Sequence, residues 1–433
     1  MKIILAPLAA VLLAVPAHAA LAPAERKMAA AVDADQDRSV ALLERLVNQN
    51  SGSLNPEGVT KVGEMMRAEL EPLGFAVRWA PMTETKRAGH LIAVHKGNGR
   101  GKRMLLIGHL DTVFEPSSPF QAFTRKGDIG EGPGAGDDKG GIVVMVMALR
   151  AMHAAGTLKD ADIEVVLTGD EEDAGDPIDV ARRDLIEAGK RADAALDFEG
   201  LNIENGKDMG SIARRSSDSW TVTVTAKSGH SSAIFAPGVG DGAIYGLSKI
   251  VTAFRTELPE PNLTFNVGLI AGGSDVALNE GKIAGTVAGK SNIIAATAIA
   301  RGDLRALSND QIDRVKGKMQ AIVARPLAHA TAQISFDPGG YPAMAPTDGN
   351  RALLAKLNGI NRDLGLEEMQ PLDPLKRGAG DIGFVANDVA GLVGLGPSGA
   401  GSHAPGETVD LSSFPRQAKR AAILMTRLSR ELR

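Results

Sequence analysis

The chain has 433 residues, more than one compact domain usually holds, so the sequence predicts two domains. Hydrophobic residues make up 44% and charged residues 23%, as in an ordinary globular protein, and the net charge of −4 without a basic run argues against nucleic acid or an anionic membrane as partner. The absence of cysteine excludes thiolate metal sites and leaves His, Asp and Glu as the available metal ligands.

Residues 1–19 have the pattern of a secretory signal peptide. Lys2 precedes a short apolar run, and Ala17-His18-Ala19 is a cleavage signal of small residues. We therefore expect cleavage after Ala19 and a periplasmic or secreted protein without membrane attachment. A buried N-terminal helix is the alternative.

Short apolar runs alternate with helical patterns as far as residue 200. The runs predict strands at 75–79, 90–95, 104–107, 163–167 and 192–198, and a helix is predicted at 140–155. Strands that alternate with helices indicate an α/β domain with helices on both faces of the sheet.

The pattern changes near residue 215, because residues 220–225 alternate strictly between apolar and polar. Such alternation is typical of a half-exposed antiparallel strand. Further strands are predicted at 263–270 and 293–304, with helices at 241–257 and 309–324. We infer an α+β domain at 215–328, inserted between two parts of the first domain at 20–214 and 329–433. The last helix is predicted to begin near Leu411.

Five short segments place histidines and acidic residues at the ends of predicted strands or in loops. They contain His109 and Asp111, Asp137 and Asp138, Glu171 and Glu172, Glu199, and His403. Loops at the carboxyl ends of strands are where α/β folds build their sites. Taken singly, the glycine-rich turn around Asp137 also permits a phosphate-binding loop, although it lacks the G-K-[ST] sequence, and residues 170–173 also permit a solvated acidic loop. Together the oxygen and nitrogen ligands suit zinc, manganese or cobalt.

In their order and spacing, the segments GHLDT, GDDKGG, DEE, FEG and the late SH resemble the dinuclear zinc peptidases related to bacterial glutamate carboxypeptidase. That family also contains aminoacylases, dipeptidases and succinyl-diaminopimelate desuccinylase. The resemblance covers nearly the whole chain after the signal peptide. It implies a catalytic zinc-peptidase domain with a mixed central sheet flanked by helices, plus an inserted α+β lid and dimerisation domain. The Asp138 that follows the first aspartate favours the glutamate carboxypeptidase branch.

The resemblance also implies a role for each residue. It implies two zinc ions per subunit, with manganese or cobalt as alternatives, held by His109, Asp137, Glu172, Glu199 and His403. Asp137 would bridge both ions, with Asp138 as the alternative bridge. His109 and Glu199 would complete one position, and Glu172 and His403 the other.

The remaining implied roles concern catalysis and substrate. Glu171 would be the general base, Asp111 the partner of His109, and His230 a lid residue that reaches the partner subunit's site and stabilises the oxyanion. Substrate would be bound by Arg305, Asn292 and Gly380, with Arg305 gripping a carboxylate in bidentate fashion.

These roles predict a hydrolase that cleaves an amide bond next to a substrate carboxylate. We expect a carboxypeptidase that releases a C-terminal amino acid such as glutamate from a small peptide or N-acyl amino acid, acting as a homodimer formed through the lid. An aminoacylase or dipeptidase on the same scaffold is the alternative. A non-catalytic binding protein is disfavoured, because all five ligands and Glu171 are present.

Overall fold

The computed structural model describes residues 21–433, so the predicted signal peptide lies outside the described residues. None of the helices in this range is long and apolar enough to cross a membrane. The helices are α1 (Pro23–Ala34), α2 (Gln36–Asn48), α3 (Pro56–Leu70), α4 (Lys139–Ala155), α5 (Ile178–Ala181), α6 (Arg183–Arg191), α7 (Gly242–Glu257), α8 (Asn309–Val323), α9 (Asp348–Asp363) and α10 (Ser413–Leu428).

The strands form one large mixed sheet, one smaller antiparallel sheet and several short ribbons. They are β1 (Ala76–Pro81), β2 (Gly89–His95), β3 (Arg103–His109), β4 (Thr124–Lys126), β5 (Ile129–Glu131), β6 (Asp162–Thr168), β7 (Ala194–Asp197), β8 (Ile203–Glu204), β9 (Lys207–Gly210), β10 (Asp218–Ala226), β11 (Thr264–Phe265), β12 (Leu269–Gly273), β13 (Asp275–Leu278), β14 (Gly285–Ala288), β15 (Thr297–Arg305), β16 (Ala330–Phe336), β17 (Gln370–Pro371), β18 (Gly391–Leu392), β19 (Gly399–Ala400) and β20 (Thr408–Asp410).

The large sheet has six strands in the order β1-β2-β6-β3-β7-β18. Strands β6, β3, β7 and β18 are parallel, whereas β1 and β2 pair antiparallel at one edge. Its central strands are buried on both faces, since Met104 and Leu106 of β3 join one apolar core and Leu105 and Ile107 join the other. The α/β prediction and its mixed, helix-covered sheet are confirmed.

The smaller sheet belongs to a second domain with its own core. β15 pairs antiparallel with β10, β11 and β12, and β16 closes the other side of β10. One face of this sheet packs against α7 and α8, with Trp220 and Phe254 in edge-to-face contact at 5.5 Å between ring centroids. We call residues 218–336 the smaller domain and the rest of the described chain the larger domain.

The strands of the smaller domain differ from the sequence prediction: β13 and β14 were not predicted, β15 begins at Thr297 rather than at residue 293, and two further differences concern β16 and the pair β11 and β12. β16 extends this sheet to Phe336, beyond residue 328, where the sequence predicts the return to the first domain. The predicted strand at 263–270 is divided into β11 and β12. Thr264 pairs with Arg305 but Leu269 pairs with Arg301, so the register shifts by one residue between them, as at a β-bulge.

Candidate metal centre

The carboxyl ends of three parallel strands meet at one edge of the large sheet and carry the predicted site. His109 is the last residue of β3 and stands opposite Thr168 at the end of β6, while Ile107 stands opposite Asp197 at the end of β7. Glu171 and Glu172 follow β6 within four residues, and Glu199 follows β7 within two. Adjacent parallel strands therefore bring together residues that are 90 positions apart in the chain.

Asp137 lies between the two histidines. Its Oδ1 is 3.1 Å from His109 Nε2 and its Oδ2 is 3.3 Å from His403 Nε2. Asp138 points elsewhere: it is fully buried, and its Oδ2 accepts the backbone N–H of His109 at 3.3 Å. This geometry favours Asp137 over Asp138 as the carboxylate that serves both sides of the site.

Glu172 completes a compact set of ligand atoms. His403 Nε2 is 3.0 Å from Glu172 Oε2. One atom each from His109, Asp137 and Glu172 lies within 4.8 Å of the others, which is close enough for a single ion to contact all three. The structure therefore places four of the five predicted ligands together.

The charges of this cluster fit a divalent cation. Hydrogen bonds to Asp137 and Glu172 raise the pKa of His403 to about 10, so the carboxylates favour positive charge at this point. Burial raises the pKa of Glu171 well above its usual range, and the neighbouring carboxylates of Glu199 and Glu172 add to the effect. A bound metal ion supplies the positive charge that such buried acids require, and nitrogen and oxygen donors without sulfur suit zinc, manganese or cobalt.

Asp111 joins His109 to the turn that carries Glu171 and Glu172. Its Oδ1 lies 3.3 Å from His109 Nδ1, and its two oxygens accept the backbone N–H groups of Glu171 and Glu172 at 3.0 and 3.1 Å. The hydroxyl of Ser53, a residue that the sequence interpretation missed, donates to Oδ2 at 2.5 Å. Burial lowers the pKa of His109, but the hydrogen bonds that its ring donates to the carboxylates of Asp111 and Asp137 outweigh burial and raise this pKa well above its usual value.

Glu199 lies outside the compact set and pairs with two arginines. Arg214 contacts its Oε1, and Arg377 Nη2 lies 3.4 Å from its Oε2. Gly380 packs against the same pair: a Cβ on this residue would lie 2.2 Å from Arg214 Nη1 and 2.7 Å from Glu199 Oε1. A side chain larger than that of glycine at position 380 would therefore displace the contact.

A cleft of about 520 Å³ opens over the cluster and is lined by four acidic side chains, four arginine or lysine side chains and His403. The acids are Asp137, Glu171, Glu172 and Glu199, and the bases are Arg214, Arg305, Lys376 and Arg377. Divalent cations bound to the cluster would make the net charge of the cleft positive. A larger cavity, about 690 Å³, lies at the opposite edge of the sheet, where β3 and β6 begin, and contains none of the predicted residues.

His230 and Asn292 do not line this cleft. They lie together in the smaller domain, where the backbone N–H of Ser231 donates to Asn292 O at 2.9 Å and both residues line a separate pocket of about 400 Å³. Their roles in catalysis stay predictions. Arg305, by contrast, lines the cleft from the end of β15.

Sequence reasoning also missed the side chains that support the site from a distance. Glu407 accepts the backbone N–H groups of Gly136 and Asp137 at 2.8 and 3.0 Å and so fixes the turn before α4. Arg377 directly precedes Gly378-Ala379-Gly380, the segment that contains the predicted Gly380, and this is the one local signal that could have found it. Arg214 has no motif around it.

The chain is similar to known metallopeptidases over most of its length. The family model for peptidase family M20/M25/M40 matches residues 105–427. The chain is 30% identical to carboxypeptidase G2 of Pseudomonas sp. (strain RS-16) over 407 residues, 90% of this chain and 89% of that protein. It is 25% identical to succinyl-diaminopimelate desuccinylase of Nitrosospira multiformis over 402 residues, 87% of this chain and 96% of that protein.

Solved structures show the same fold. The YXEP protein of Bacillus subtilis, described as a dinuclear metal-binding peptidase, aligns with a TM-score of 0.64 at 15% identity and covers 92% of this chain and 99% of its own. The family match, the relatives and the metal-binding geometry agree with the family predicted from the five segments. The chain belongs to peptidase family M20/M25/M40 and is a hydrolase of the metallopeptidase type.

Proposed function

We propose that the protein is a two-zinc hydrolase that cleaves an amide bond next to a carboxylate of its substrate, in the manner of a carboxypeptidase that releases a C-terminal amino acid such as glutamate. One observation carries the proposal: Arg305 lines the same cleft as the predicted metal ligands Asp137, Glu172 and His403. The similarity to carboxypeptidase G2 supports the same class of substrate. An aminoacylase or dipeptidase activity is the second candidate, favoured by the same family membership.

The donor set divides between two metal positions that share Asp137. We assign His109 and Glu199 to one position and Glu172 and His403 to the other. When bound, the zinc ions would polarise the scissile carbonyl and lower the pKa of the attacking water.

Glu171 is the general base in this proposal. It lies beside Glu172 on the turn that Asp111 holds, and it lines the cleft without a side-chain partner of its own among the described residues. It accepts a proton from the attacking water and returns it to the leaving nitrogen. Arg305 binds the substrate carboxylate, and His230 of a second subunit stabilises the oxyanion.

Assembly and export are further parts of the proposal. Seven of the twelve exposed large apolar side chains of residues 21–433 lie between residues 235 and 293 of the smaller domain, which supports a homodimer formed through that domain. The signal-like residues 1–19 support export to the periplasm or beyond.

A hydrolysis screen tests the proposal. The metal-free protein is supplied with zinc, manganese or cobalt and assayed on N-acyl amino acids, folate-like glutamates and dipeptides. We expect release of the carboxylate-bearing amino acid from folate-like glutamates as well as from N-acyl amino acids, whereas hydrolysis confined to simple N-acyl amino acids or to dipeptides would support the second candidate. Glu171→Ala should keep its metal and lose nearly all turnover, and retained turnover would exclude Glu171 as the base.

A further inference from the structure

Two antiparallel segments join the smaller domain to the larger one. Residues 211–217 lead out and residues 341–344 lead back. Arg214 and Met344 exchange two backbone hydrogen bonds of 2.9 Å, and Ser217 and Tyr341 exchange two of 3.0 and 2.9 Å. We call these two segments the linker strands.

Arg214 lies on the outgoing linker strand, and its side chain reaches the metal centre. Its guanidinium is buried, with 7% of the side chain exposed, and contacts the Glu199 carboxylate. Its Nε donates to Gly378 O at 2.8 Å, and Nη2 donates to Ala379 O. One side chain therefore holds Glu199, a proposed metal ligand, and the backbone of residues 378–379 against the linker strand.

Tyr341 lies on the returning linker strand, and its side chain reaches the other side of the metal centre. Its hydroxyl donates to the backbone carbonyl of Glu171 at 2.7 Å and accepts from Arg182 Nη2 at 2.6 Å. Arg182 is fully buried and also binds Asp170 and Asp381 at 2.6 Å each. Tyr341 thus ties the backbone of the presumed base to a buried ion-pair network.

The two contacts converge on one loop. Asp381, which Arg182 binds, is next to Gly380, and Gly380 packs against Arg214. Tyr341 also packs its ring on Phe384 at 5.0 Å between centroids. The linker strands therefore contact residues 378–384 at both ends, through Arg214 at residues 378–380 and through Tyr341 at Phe384. The same two side chains contact Glu199 and the backbone of Glu171 on the two sides of the metal centre.

We propose that Arg214 and Tyr341 are positioning residues through which the interdomain linker sets the geometry of the metal centre: Arg214 orients Glu199, and Tyr341 fixes the backbone at Glu171. The proposal rests on the roles given above to Glu199 and Glu171. A residue that orients a metal ligand from outside the coordination sphere typically changes metal affinity about 10–100-fold when it is replaced.

Zinc binding tests the Arg214 half and needs no substrate. Metal-free Arg214→Met is titrated with zinc against a competing chelator, beside Arg214→Lys and the control Arg215→Met. Arg215 is the next residue on the same linker strand, but it points away and donates to Thr264 and Leu375 O. We expect Arg214→Met to weaken one zinc ion about 10–100-fold, Arg214→Lys to recover part of the loss, and Arg215→Met to stay within about twofold of wild type.

Wild-type zinc affinity in Arg214→Met, or an equal loss in Arg215→Met, would overturn this half. The first result would mean that Glu199 needs no partner, and the second that any change in the linker strand has the same effect. A protein that binds zinc as expected but hydrolyses no amide would contradict the proposed function and leave this half intact.

Steady-state kinetics test the Tyr341 half with the best substrate of the screen. Tyr341→Phe keeps the ring contact with Phe384 and removes only the hydroxyl. Thr60→Val on α3 is the control, because it likewise removes one hydroxyl, which donates to Pro56 O within the same helix. We expect Tyr341→Phe to lower kcat about tenfold, the effect of one hydrogen bond, with KM and zinc affinity within about twofold. An unchanged kcat, or a rise in KM alone, would overturn this half.

Discussion

Replacing Asp111 tests the metal centre directly, because its two oxygens hold both halves of the site. Oδ1 accepts the backbone N–H of Glu171 at 3.0 Å, and Oδ2 accepts those of Glu172 at 3.1 Å and the Ser53 hydroxyl at 2.5 Å. Burial raises the pKa of Asp111, but the hydrogen bonds from His109 and Ser53 outweigh burial and hold it below its usual value. Asp111 is therefore ionised at neutral pH.

The change Asp111→Asn keeps the shape of the side chain and removes one acceptor. Asparagine has one acceptor oxygen and an amide group that only donates, so either orientation leaves a buried donor facing a donor. An unpaired buried N–H costs about 1–3 kcal/mol, which is the loss we expect in the free energy of unfolding. Because His109 also loses its ionised partner, we expect zinc affinity to fall about 10–100-fold.

Guanidinium denaturation of the metal-free protein and zinc titration against a chelator measure the two effects. Asp388→Asn is the matched control, because Asp388 is exposed and makes no side-chain hydrogen bond among the described residues. An Asp111→Asn protein with wild-type stability and wild-type zinc affinity would refute the role of Asp111.

Three further predictions concern the cleft and the ends of the fold. Gly380→Ala should lower activity about 10–100-fold without unfolding the protein, because the added Cβ meets Arg214 and Glu199 while the backbone, at φ 178°, is unstrained; wild-type activity would contradict this contact. Arg305→Ala should raise KM about 10–100-fold and leave kcat within a few-fold, and an unchanged KM would remove Arg305 from carboxylate binding. Burial raises the pKa of Glu25, but its hydrogen bond with Arg427 of α10 outweighs burial, so the folded-state pKa of Glu25 lies below 4.5. Glu25→Gln should therefore cost about 1 kcal/mol at pH 7, and denaturation at decreasing pH should show the difference from wild type vanish as the pH falls through that lowered pKa.

The sequence predicted most of the large sheet because its central strands are buried on both faces. Apolar runs such as 104–107, and 163–167 apart from Glu164, are typical of strands buried on both faces. The end of the smaller domain was harder to predict. β16 reads Ala-Thr-Ala-Gln-Ile-Ser-Phe, whose weak alternation matches its half-buried and exposed positions, yet its pairing with β10 joins residues more than 100 positions apart.

In the candidate site, too, some residues could be predicted from the sequence and others could not. His109, Asp137, Glu172 and His403 stand in short segments whose residue types already indicate metal chemistry, and the structure brings them together. Arg214 has no such segment, because its function depends on a carbonyl 164 residues away in the chain. A single sequence shows which residue types stand together in a short segment, but it does not show which distant backbone atoms a lone arginine contacts.

The smaller domain places its predicted functional residues at opposite ends of the same strands. Arg305 ends β15 beside the cleft, whereas β15 begins at Thr297, near the pocket of His230 and Asn292. Nine residues of extended strand span roughly 26 Å, so His230 lies far from the metal centre of its own chain. Rotation of the smaller domain about the linker strands cannot bring His230 to the metal centre. A rigid rotation leaves the distance between His230 and the hinge unchanged. If His230 takes part in catalysis, it must therefore act on a second copy of the chain.

Mixed dimers test this last inference. Glu171→Ala removes the base and His230→Ala removes the lid histidine, so each protein alone should be inactive. In a mixed dimer, the site that keeps Glu171 receives His230 from the other chain. Random re-association of equal amounts should then restore about a quarter of wild-type activity, because half the dimers are mixed and each has one complete site. If His230 acts within its own chain, every site lacks one residue and the mixture stays inactive, and an active His230→Ala protein would remove this histidine from catalysis.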